Sequence, residues 1–218
     1  MADVVYGRRP VAEAQRGPRR VLRVITAEEA TADELTTLAG SRDHQGIVAE
    51  VEPYGYADAD ALLSEPNALI VALDQVQDPH NLGAVCRSAE AASATGVVIP
   101  DRRAAAVTPA VCKASAGAVE HLQVAQVRNL ADWLEGAKAR EGLWAYGAAA
   151  DGGAQYTSVD LTGPLVLVFG SEWRGLRPRV AEACDALVSI PLKGRAASLN
   201  VSAAAAIFLF EAVRQRRS

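Results

Sequence analysis

Glycines and polar side chains that could bind a ligand gather in three segments, and each segment follows or contains an apolar stretch. In the first segment, residues 73–91, Asn81 is a candidate helix N-cap and Gly83 would let the backbone approach a neighbour closely. Arg87 lies about one and two-thirds turns into that helix, where it could point toward the strand ends. The alternative is that Asn81 only caps the helix and Arg87 only pairs with a nearby acid.

The other two segments lie in the last third of the chain. Residues 165–178 run from an apolar stretch into Gly170 and Glu172, where the glycine would admit a flat ligand and the carboxylate could meet one of its polar groups. A plain tight turn is the competing interpretation. In residues 188–212, Ser198 and Asn200 precede a long apolar helix and are either caps or ligand contacts.

The elements around these segments alternate between apolar, β-branched runs and helical patterns, which predicts an α/β fold with a parallel sheet covered by helices on both faces. Ligands of such sheets bind beyond the carboxyl ends of the strands, where the three segments lie. The predicted strands are residues 68–73, 96–99, 143–146, 165–169 and 187–190. The predicted helices are residues 81–94, 108–116, 130–139, 177–183 and 199–214.

The N-terminal residues 1–52 predict a separate, small α/β domain with strands at 21–25 and 46–51 and a helix at 32–39. Residues 53–66 contain prolines, a glycine and several acids and are predicted to be a linker, so that the larger domain spans residues 67–218. Six arginines but a single acid lie between Arg8 and Arg23, a density that favours a nucleic-acid contact over simple solvation or helix capping.

Composition excludes several classes of protein. The chain has 218 residues, 50% of them hydrophobic, and a net charge of −4, which fits an ordinary globular protein. It contains neither a long apolar run nor a signal-like N-terminus, so no membrane contact is expected and the cytoplasm is the predicted location. Its three cysteines form no C-x-x-C pair, so they are expected to be buried and no metal is predicted. A dinucleotide-dependent oxidoreductase is disfavoured because the G-x-G fingerprint and the P-loop are absent.

Taken together, the segments DPHNLGAVCRSA, FGSE, IPLKG and SLNVSAA resemble the SpoU/TrmH family of SPOUT RNA methyltransferases, over a stretch from about residue 67 to the C-terminus. The similarity is greatest to the RlmB-like subgroup, whose members methylate a guanosine ribose of 23S rRNA. The N-terminal segments VYGRRPVAEA and HQGIVAEV look like the ribosomal-protein-like RNA-binding domain of that subgroup, here in a shortened form.

The resemblance implies a C-terminal deep trefoil knot, a homodimer, and S-adenosyl-L-methionine as the cofactor. In the knot, the stretch around residues 190–202 would be tucked through the loop formed after Leu165. The main chain at Gly170, Ile190 and Leu199 would hold the cofactor. Further cofactor contacts are expected at Ser171, Leu192, Gly147 and Ala148, and RNA contacts at Arg8, Arg9, Arg19 and Arg20.

For the reaction, the resemblance implies methyl transfer to a ribose 2′-hydroxyl of RNA, with a guanosine of 23S rRNA as the target. Arg87 is the central catalytic candidate, in an electrostatic role because an arginine is effectively always protonated. Asn81, Glu172, Ser198 and Asn200 would orient the ribose, Arg87 or the cofactor. Alternatives that stay open are a tRNA 2′-O-methyltransferase and a catalytically weak ribosome-assembly factor. In this chain Trp173 follows Glu172, where the family usually has a small residue.

Overall fold

The computed structural model describes residues 2–140, 142–151, 153–171 and 174–217, and they form two β-sheets. The N-terminal elements are β1 (Asp3–Tyr6), α1 (Arg8–Arg16), β2 (Val21–Thr26), α2 (Ala32–Ala39) and β3 (Ile47–Val51). The three strands pair in antiparallel fashion in the order β1-β3-β2. Buried side chains from all three strands and from α2 form a small core under this sheet.

Strands and helices alternate through the rest of the chain. The elements are α3 (Ala59–Leu62), β4 (Leu69–Asp74), α4 (Pro79–Ala91), β5 (Gly96–Pro100), α5 (Pro109–Ala114), β6 (Val124–Val127), α6 (Leu130–Lys138), β7 (Trp144–Ala149), β8 (Ala154–Gln155), β9 (Leu165–Gly170), α7 (Pro178–Ala183), β10 (Ala186–Ser189) and α8 (Val201–Arg216). The strands form a seven-stranded parallel sheet in the order β6-β5-β4-β9-β7-β10-β8. The predicted parallel α/β sheet is therefore confirmed.

Both faces of the larger sheet are covered, which explains why its central strands are apolar at nearly every position. Along β4, Leu69, Val71 and Leu73 contact the cluster that contains α4, α5 and α8. Ile70 and Ala72 point to the opposite face and contact the cluster that contains α3, α6 and α7. Successive side chains of a strand point to opposite faces, so a strand covered on both sides reads as a continuous apolar run.

The order of the strands gathers the loops that matter for function. β4, β5 and β6 follow one another toward one edge of the sheet, whereas β9 returns to pair with β4 and continues toward β7 and β10. The direction of winding thus reverses between β4 and β9. Because all the strands are parallel, their carboxyl ends share one edge of the sheet, and a crevice at such a reversal point is where ligands bind in folds of this class.

Most predicted elements coincide with observed ones to within a few residues, and five short elements were missed: β1, α1, α3, β6 and β8. The prediction that Asn81 caps α4 is wrong. Asp78 occupies the N-cap, with its Oδ1 accepting a hydrogen bond of 2.8 Å from the backbone N–H of His80, because Pro79 takes the first helical position. Asn200 does cap α8, since its side chain accepts from the backbone N–H of Ser202 at 2.8 Å.

The residues predicted to be a linker pack closely against both sheets. The backbone N–H of Tyr54 donates to Oδ2 of Asp3 at 2.9 Å, and the Tyr54 hydroxyl donates to the carbonyl of Leu122 at 3.1 Å. Tyr56 accepts from the backbone N–H of Val107 through its hydroxyl at 2.9 Å. This segment therefore joins the N-terminal sheet to the larger one through specific contacts.

The cysteines agree with a further expectation. Cys86, Cys112 and Cys184 are all free and buried, and burial raises the pKa of each thiol to about 12. Within the described ranges, no helix has both the length and the apolar character that a membrane span requires.

Candidate active site

A cavity of about 540 Å³ opens at the carboxyl ends of β7, β9 and β10. The strand ends contribute Ala148, Gly170, Ser171 and Ile190, and the stretch between β10 and α8 contributes Leu192, Ser198 and Leu199. The first turns of α8 close one side with Val201 and Ala204, and Phe208 lies deeper along the same helix. The size and the mainly apolar lining are typical of a site for a small organic cofactor.

Gly170 is required at the point where β9 leaves the sheet. A Cβ atom built on this residue would lie 2.0 Å from the carbonyl carbon of Gly175 and 2.2 Å from the amide nitrogen of Leu176. The loop after β9 folds back on itself there, with the backbone N–H of Gly175 donating to the carbonyl of Ser171 at 2.8 Å. The glycine thus permits the tight return that shapes this wall of the cavity.

A buried ion pair holds the far end of the same loop. Asp74, at the end of β4, is 1% exposed and accepts hydrogen bonds of 2.8 Å from both the backbone N–H and the Nε of Arg177. The Nη2 of Arg177 adds a third contact at 2.8 Å. A carboxylate buried at this depth requires such compensation, so the pair fixes the loop between β9 and α7 against the end of β4.

The start of α8 is joined to α4 by two amide side chains. The Nδ2 of Asn200 donates to the Oδ1 of Asn81 at 2.9 Å, across a separation of 119 residues in the chain. Asn81 is 7% exposed, so its amide is largely removed from solvent. This contact sets the position of the 190–199 stretch relative to the end of β4, and it brings two of the predicted catalytic residues together.

A second, polar cavity of about 510 Å³ adjoins the first, and the two share Ser171 and Arg174. It lies over the carboxyl ends of β4 and β5 and at the start of α4, beside the point where the winding of the sheet reverses. Its lining is almost entirely polar and consists of Gln75, Val76, Gln77, Asp78, Asn81, Arg103, Ser171 and Arg174. A mainly apolar site therefore opens beside a site that offers both hydrogen-bond donors and acceptors.

The structure gathers most of the predicted cofactor contacts into the first cavity. Ser171, Ile190, Leu192 and Leu199 line it, together with Gly170 and Ala148. Gly147 is different because it lies behind the wall, and a Cβ atom there would come within 2.8 Å of Leu176 and Leu187 side-chain carbons. Its role is therefore to let these side chains pack under the cavity.

The predicted catalytic residues divide into those at the cavities and those elsewhere. Ser198 lines the first cavity, Asn81 lines the second, and Asn200 binds Asn81. Arg87 lies exposed on α4 and lines neither cavity of its own chain. Glu172, like Trp173 beside it, lies outside the described residues.

The predicted RNA-binding arginines also divide. Arg8, Arg9 and Arg20 are exposed on the N-terminal unit. The prediction for Arg19 is corrected by its burial, since its side chain is only 8% exposed and forms an ion pair with Glu120, whose side chain is 0% exposed. An arginine that neutralises a buried carboxylate is not available to a phosphate.

Several polar residues were not identified as site residues from the sequence, among them Gln75, Asp78, Arg103 and Arg174 at the polar cavity and Asp74, which holds the adjoining loop. Asp74 had a usable signal, because a charged residue that ends an apolar strand must find a partner. Gln75 and Arg103 carry no such signal. Their left-handed backbone conformations, with φ of 61° and 57°, are visible only in the structure.

A seven-stranded parallel sheet with a ligand-sized cavity at its carboxyl edge defines an α/β protein that binds a small organic molecule. Comparison with known proteins specifies the family. The profile of the SpoU rRNA Methylase family matches residues 68–210. The chain therefore belongs to this family, which is a family of RNA methyltransferases, and the resemblance inferred from the motifs is confirmed.

Similar proteins include the 23S rRNA (guanosine-2′-O-)-methyltransferase RlmB of Pseudomonas putida, which is 47% identical over 80% of this chain and 72% of that protein. An uncharacterized tRNA/rRNA methyltransferase of Mycolicibacterium vanbaalenii is 41% identical over 99% of this chain and 77% of that protein. Among solved structures, the SpoU methyltransferase AviRb of Streptomyces viridochromogenes in complex with the cofactor AdoMet has a TM-score of 0.86 and 29% identity. That match covers 100% of this chain and 91% of AviRb.

Proposed function

We propose that this chain transfers a methyl group from S-adenosyl-L-methionine to the 2′-hydroxyl of a ribose in RNA, with a guanosine of 23S rRNA as the target. The observation that carries the proposal is the joint construction of one cavity by the end of β9 and the 190–199 stretch. The RlmB and AviRb names and titles support the nucleoside and the cofactor. Because the proposed substrate is ribosomal RNA, the proposed location is the cytoplasm.

The residues of the first cavity fit such a cofactor. Its floor and walls are apolar, which suits an adenine ring, and Ser171, Ser198 and Asp151 at its margins suit the polar ends of the molecule. The cofactor supplies an electrophilic methyl group, so the protein mainly has to position the 2′-oxygen and assist the loss of its proton. The polar cavity next to it is the place for the target nucleotide.

Some of the chain's residues position the two cavities, and others would activate the 2′-hydroxyl. The Asn81–Asn200 contact keeps the two cavities in register, while Ser198 lies at the wall of the first. Arg87 provides the positive charge that would stabilise the developing negative charge on the 2′-oxygen or bind the adjacent phosphate. Glu172 is proposed to help orient the ribose or the cofactor.

The decisive experiment is a reverse-transcription map of 2′-O-methyl sites in total RNA from cells with and without this protein. The proposal expects one guanosine of 23S rRNA to lose its modification when the protein is absent and to regain it when purified protein and S-adenosylmethionine are added. A site in tRNA would support the tRNA alternative. An unchanged map would contradict the enzymatic proposal and favour a ribosome-assembly role.

Replacement of Arg87 by alanine tests the catalytic assignment. Arg87→Ala is expected to reduce methyl transfer by at least about 100-fold, since one electrostatic contact to a developing charge contributes about 10²–10³ to kcat. Calorimetry should find S-adenosylmethionine affinity within a few fold of the parent. Arg128→Ala, which removes another exposed arginine, is the control. Loss of cofactor binding in Arg87→Ala would show that Arg87 has a structural role instead.

Because Arg87 lines neither cavity of its own chain, the proposal includes a homodimer in which Arg87 serves the partner's site. A mixture of Arg87→Ala chains with chains that carry the cofactor-weakening Gly170→Ala change tests this arrangement, at an S-adenosylmethionine concentration well below the Kd of the Gly170→Ala variant. In mixed dimers, one site has an intact cavity and receives an intact arginine from the other chain. Methyl transfer by the mixture should therefore exceed the sum of the rates of the two separate variants, and no such excess in demonstrated mixed dimers would contradict the arrangement.

The proposal also includes the threaded C-terminal segment and the RNA-binding role of residues 1–52. Two observations support threading: β9 lies between β4 and β7, and the 190–199 stretch returns to the end of β9. Exposed Arg8, Arg9 and Arg20 support an RNA-facing surface on the N-terminal unit. Charge reversal of these three arginines should weaken RNA binding while cofactor affinity stays constant.

A further inference from the structure

The polar cavity has a lining that distinguishes between possible occupants. Arg103 and Arg174 bring positive charge, whereas Asp78 brings a carboxylate and Gln75 and Gln77 bring amides. One Asp78 oxygen accepts the capping hydrogen bond of α4, and the other has no partner among the residues that the structure describes. The described part of the chain likewise offers no hydrogen-bond or ionic partner to the Arg103 guanidinium, so both groups can bind a ligand.

Two backbone outliers lie at the same cavity. Only five non-glycine residues of the described chain have positive φ, and two of them, Gln75 and Arg103, line this cavity. The left-handed conformation is uncommon for residues other than glycine, asparagine and aspartate, and it costs energy that the surrounding structure must supply. Such residues cluster at ligand sites, so the loops after β4 and β5 are shaped for binding.

From these observations we propose that the polar cavity binds the guanine base of the target nucleotide, with Asp78 and Arg103 contacting its opposite edges. This inference rests on the proposed function, because it places the target ribose beside the first cavity. The free Asp78 oxygen accepts from guanine N1–H and the N2 amino group. The Arg103 guanidinium donates to guanine O6 and N7, the pair of acceptors that arginine contacts most often in nucleic acids.

Other occupants fit the lining less well. A phosphate would be repelled by the Asp78 carboxylate, although the two arginines alone would attract it. Adenine and cytosine present an acceptor at the ring nitrogen of the Watson–Crick edge, where it would meet the carboxylate oxygen without a proton between them. Uracil has a donor at that position but lacks an N7 acceptor for Arg103. Guanine is the one standard base that satisfies both side chains.

The test uses synthetic RNA hairpins built around the guanosine that the reverse-transcription map identifies. Three hairpins carry guanosine, inosine or 7-deazaguanosine at the target position. Inosine lacks the N2 amino group and so removes a contact to Asp78, whereas 7-deazaguanosine lacks N7 and so removes a contact to Arg103. Equilibrium affinity is measured with S-adenosylhomocysteine bound, and kcat/KM for methyl transfer is measured separately.

Each base change should matter only while its protein partner is present. In the parent, inosine and 7-deazaguanosine are each expected to lower affinity by about 5- to 100-fold. Asp78→Asn keeps a good helix cap but replaces the free acceptor oxygen by an amide NH2 group, so it should abolish the inosine penalty and leave the 7-deazaguanosine penalty unchanged. Arg103→Ala should show the reverse pattern, and Arg102→Ala, a change at the neighbouring exposed arginine, should behave as the parent.

The possible negative results are distinguishable. If no hairpin is methylated and the map shows no site, the proposed function itself has failed. If guanosine is methylated but both analogues carry the same penalties in all variants, the base is read elsewhere and the present inference is overturned. A mapped target other than guanosine would also overturn it while leaving methyl transfer intact.

Discussion

At the scale of single residues, the first cavity depends on a position that has no space for a side chain. Gly170 lies at the end of β9. The backbone of Gly175 and Leu176 returns there to within 2.0 and 2.2 Å of the position that a Cβ atom would occupy. Backbone atoms cannot rotate away as a flexible side chain can. A larger residue at this position must therefore move the whole loop that lines the cavity.

Gly170→Ala is expected to weaken S-adenosylmethionine binding by about tenfold or more, which corresponds to about 1.4 kcal/mol. Isothermal titration calorimetry measures the affinity, and circular dichroism checks that the protein is folded. Gly136→Ala is the matched control, since among the described residues no atom beyond the neighbouring backbone of α6 lies within 4 Å of the added methyl group. That change should leave binding unaltered and stabilise the helix by about 0.5–1 kcal/mol. Unchanged binding in Gly170→Ala would exclude a role for this loop in the site.

A single site residue could be predicted only where the neighbouring sequence carries a recognisable motif. Gly170, Ile190 and Leu199 of the first cavity could be predicted because they lie in recognisable motifs. Arg103 could not, because its place at the polar cavity depends on a loop conformation that no sequence pattern indicates. Arg19 was misjudged because a cluster of arginines looks the same whether a member faces solvent or a buried acid. Glu120, its partner, is 101 residues away in the chain.

At the scale of elements, α8 is held at both ends. Asn200 caps its start and binds Asn81 on α4. At its end, Arg216 donates to the carbonyls of Asn67, Leu161 and Gly163, which lie just before β4 and β9. The long apolar helix therefore packs on the sheet while Arg216 near its end satisfies backbone acceptors of the larger domain.

A carboxylate near the end of α8 predicts how stability depends on pH. Hydrogen bonds from Arg214 and Gln215 lower the pKa of Glu211 from 4.5 to about 2. Between these values the unfolded chain binds more protons than the folded chain, so the stabilisation is complete above pH 4.5 and is lost as the pH falls to about 2. Glu211→Gln should therefore lower Tm at pH 7 by a few degrees, at about 2–4 °C per kcal/mol. The difference in Tm between this variant and the parent should disappear as the pH falls to about 2.

Thermal melts followed by circular dichroism across that range provide the measurement. Glu182→Gln, which alters an exposed acid of α7, is the control and should leave the pH profile as it is. If the Glu211→Gln and parent curves keep a constant separation down to about pH 2, the Glu211 interactions do not contribute to stability through ionisation.

The elements that sequence patterns identified are those with strong, local periodicity. The helix at residues 32–39 coincides with α2, and β9 was found to within one residue, because a continuous apolar run marks a strand covered on both faces. β6 was missed because it has only four residues and lies at the edge of the sheet. α1 was missed because its arginines mask an apolar face that becomes buried against the larger unit.

At the scale of the whole molecule, the N-terminal unit is joined to the larger sheet by a buried polar contact. Arg19 donates to Glu120 through its Nε at 2.9 Å and through Nη2, and its guanidinium also lies 5.5 Å from the ring centre of Tyr54. Apolar side chains of α1, β1 and β3 belong to the same core as α4 and α5. The orientation of the proposed RNA-binding unit is therefore fixed relative to the cavities.

Arg19→Ala should destabilise the protein by about 3–5 kcal/mol, because it leaves the Glu120 carboxylate buried without compensation. Urea unfolding monitored by fluorescence gives the free energy. Arg16→Ala is the control, since the exposed Arg16 side chain pairs with Glu13 at the surface and its loss should change stability by less than about 1 kcal/mol. The double replacement of Arg19 by Met and Glu120 by Leu should recover most of the loss. A loss that persists in the double variant would mean that shape, and not charge, is the determinant.

The position of β9 has a consequence for how the protein must be synthesised. β4 and β7 both need β9 as their neighbour, yet β9 is translated after all the strands on the β5 side and after β7. A nascent chain that has not yet released residue 165 therefore carries two unpaired strand edges, which are prone to pair with other chains. The cofactor cavity is lined by residues of β9, of the 190–199 stretch and of α8, so it can form only after these segments have been synthesised. Products that terminate before residue 165 are therefore expected to aggregate and not to act as partial enzymes.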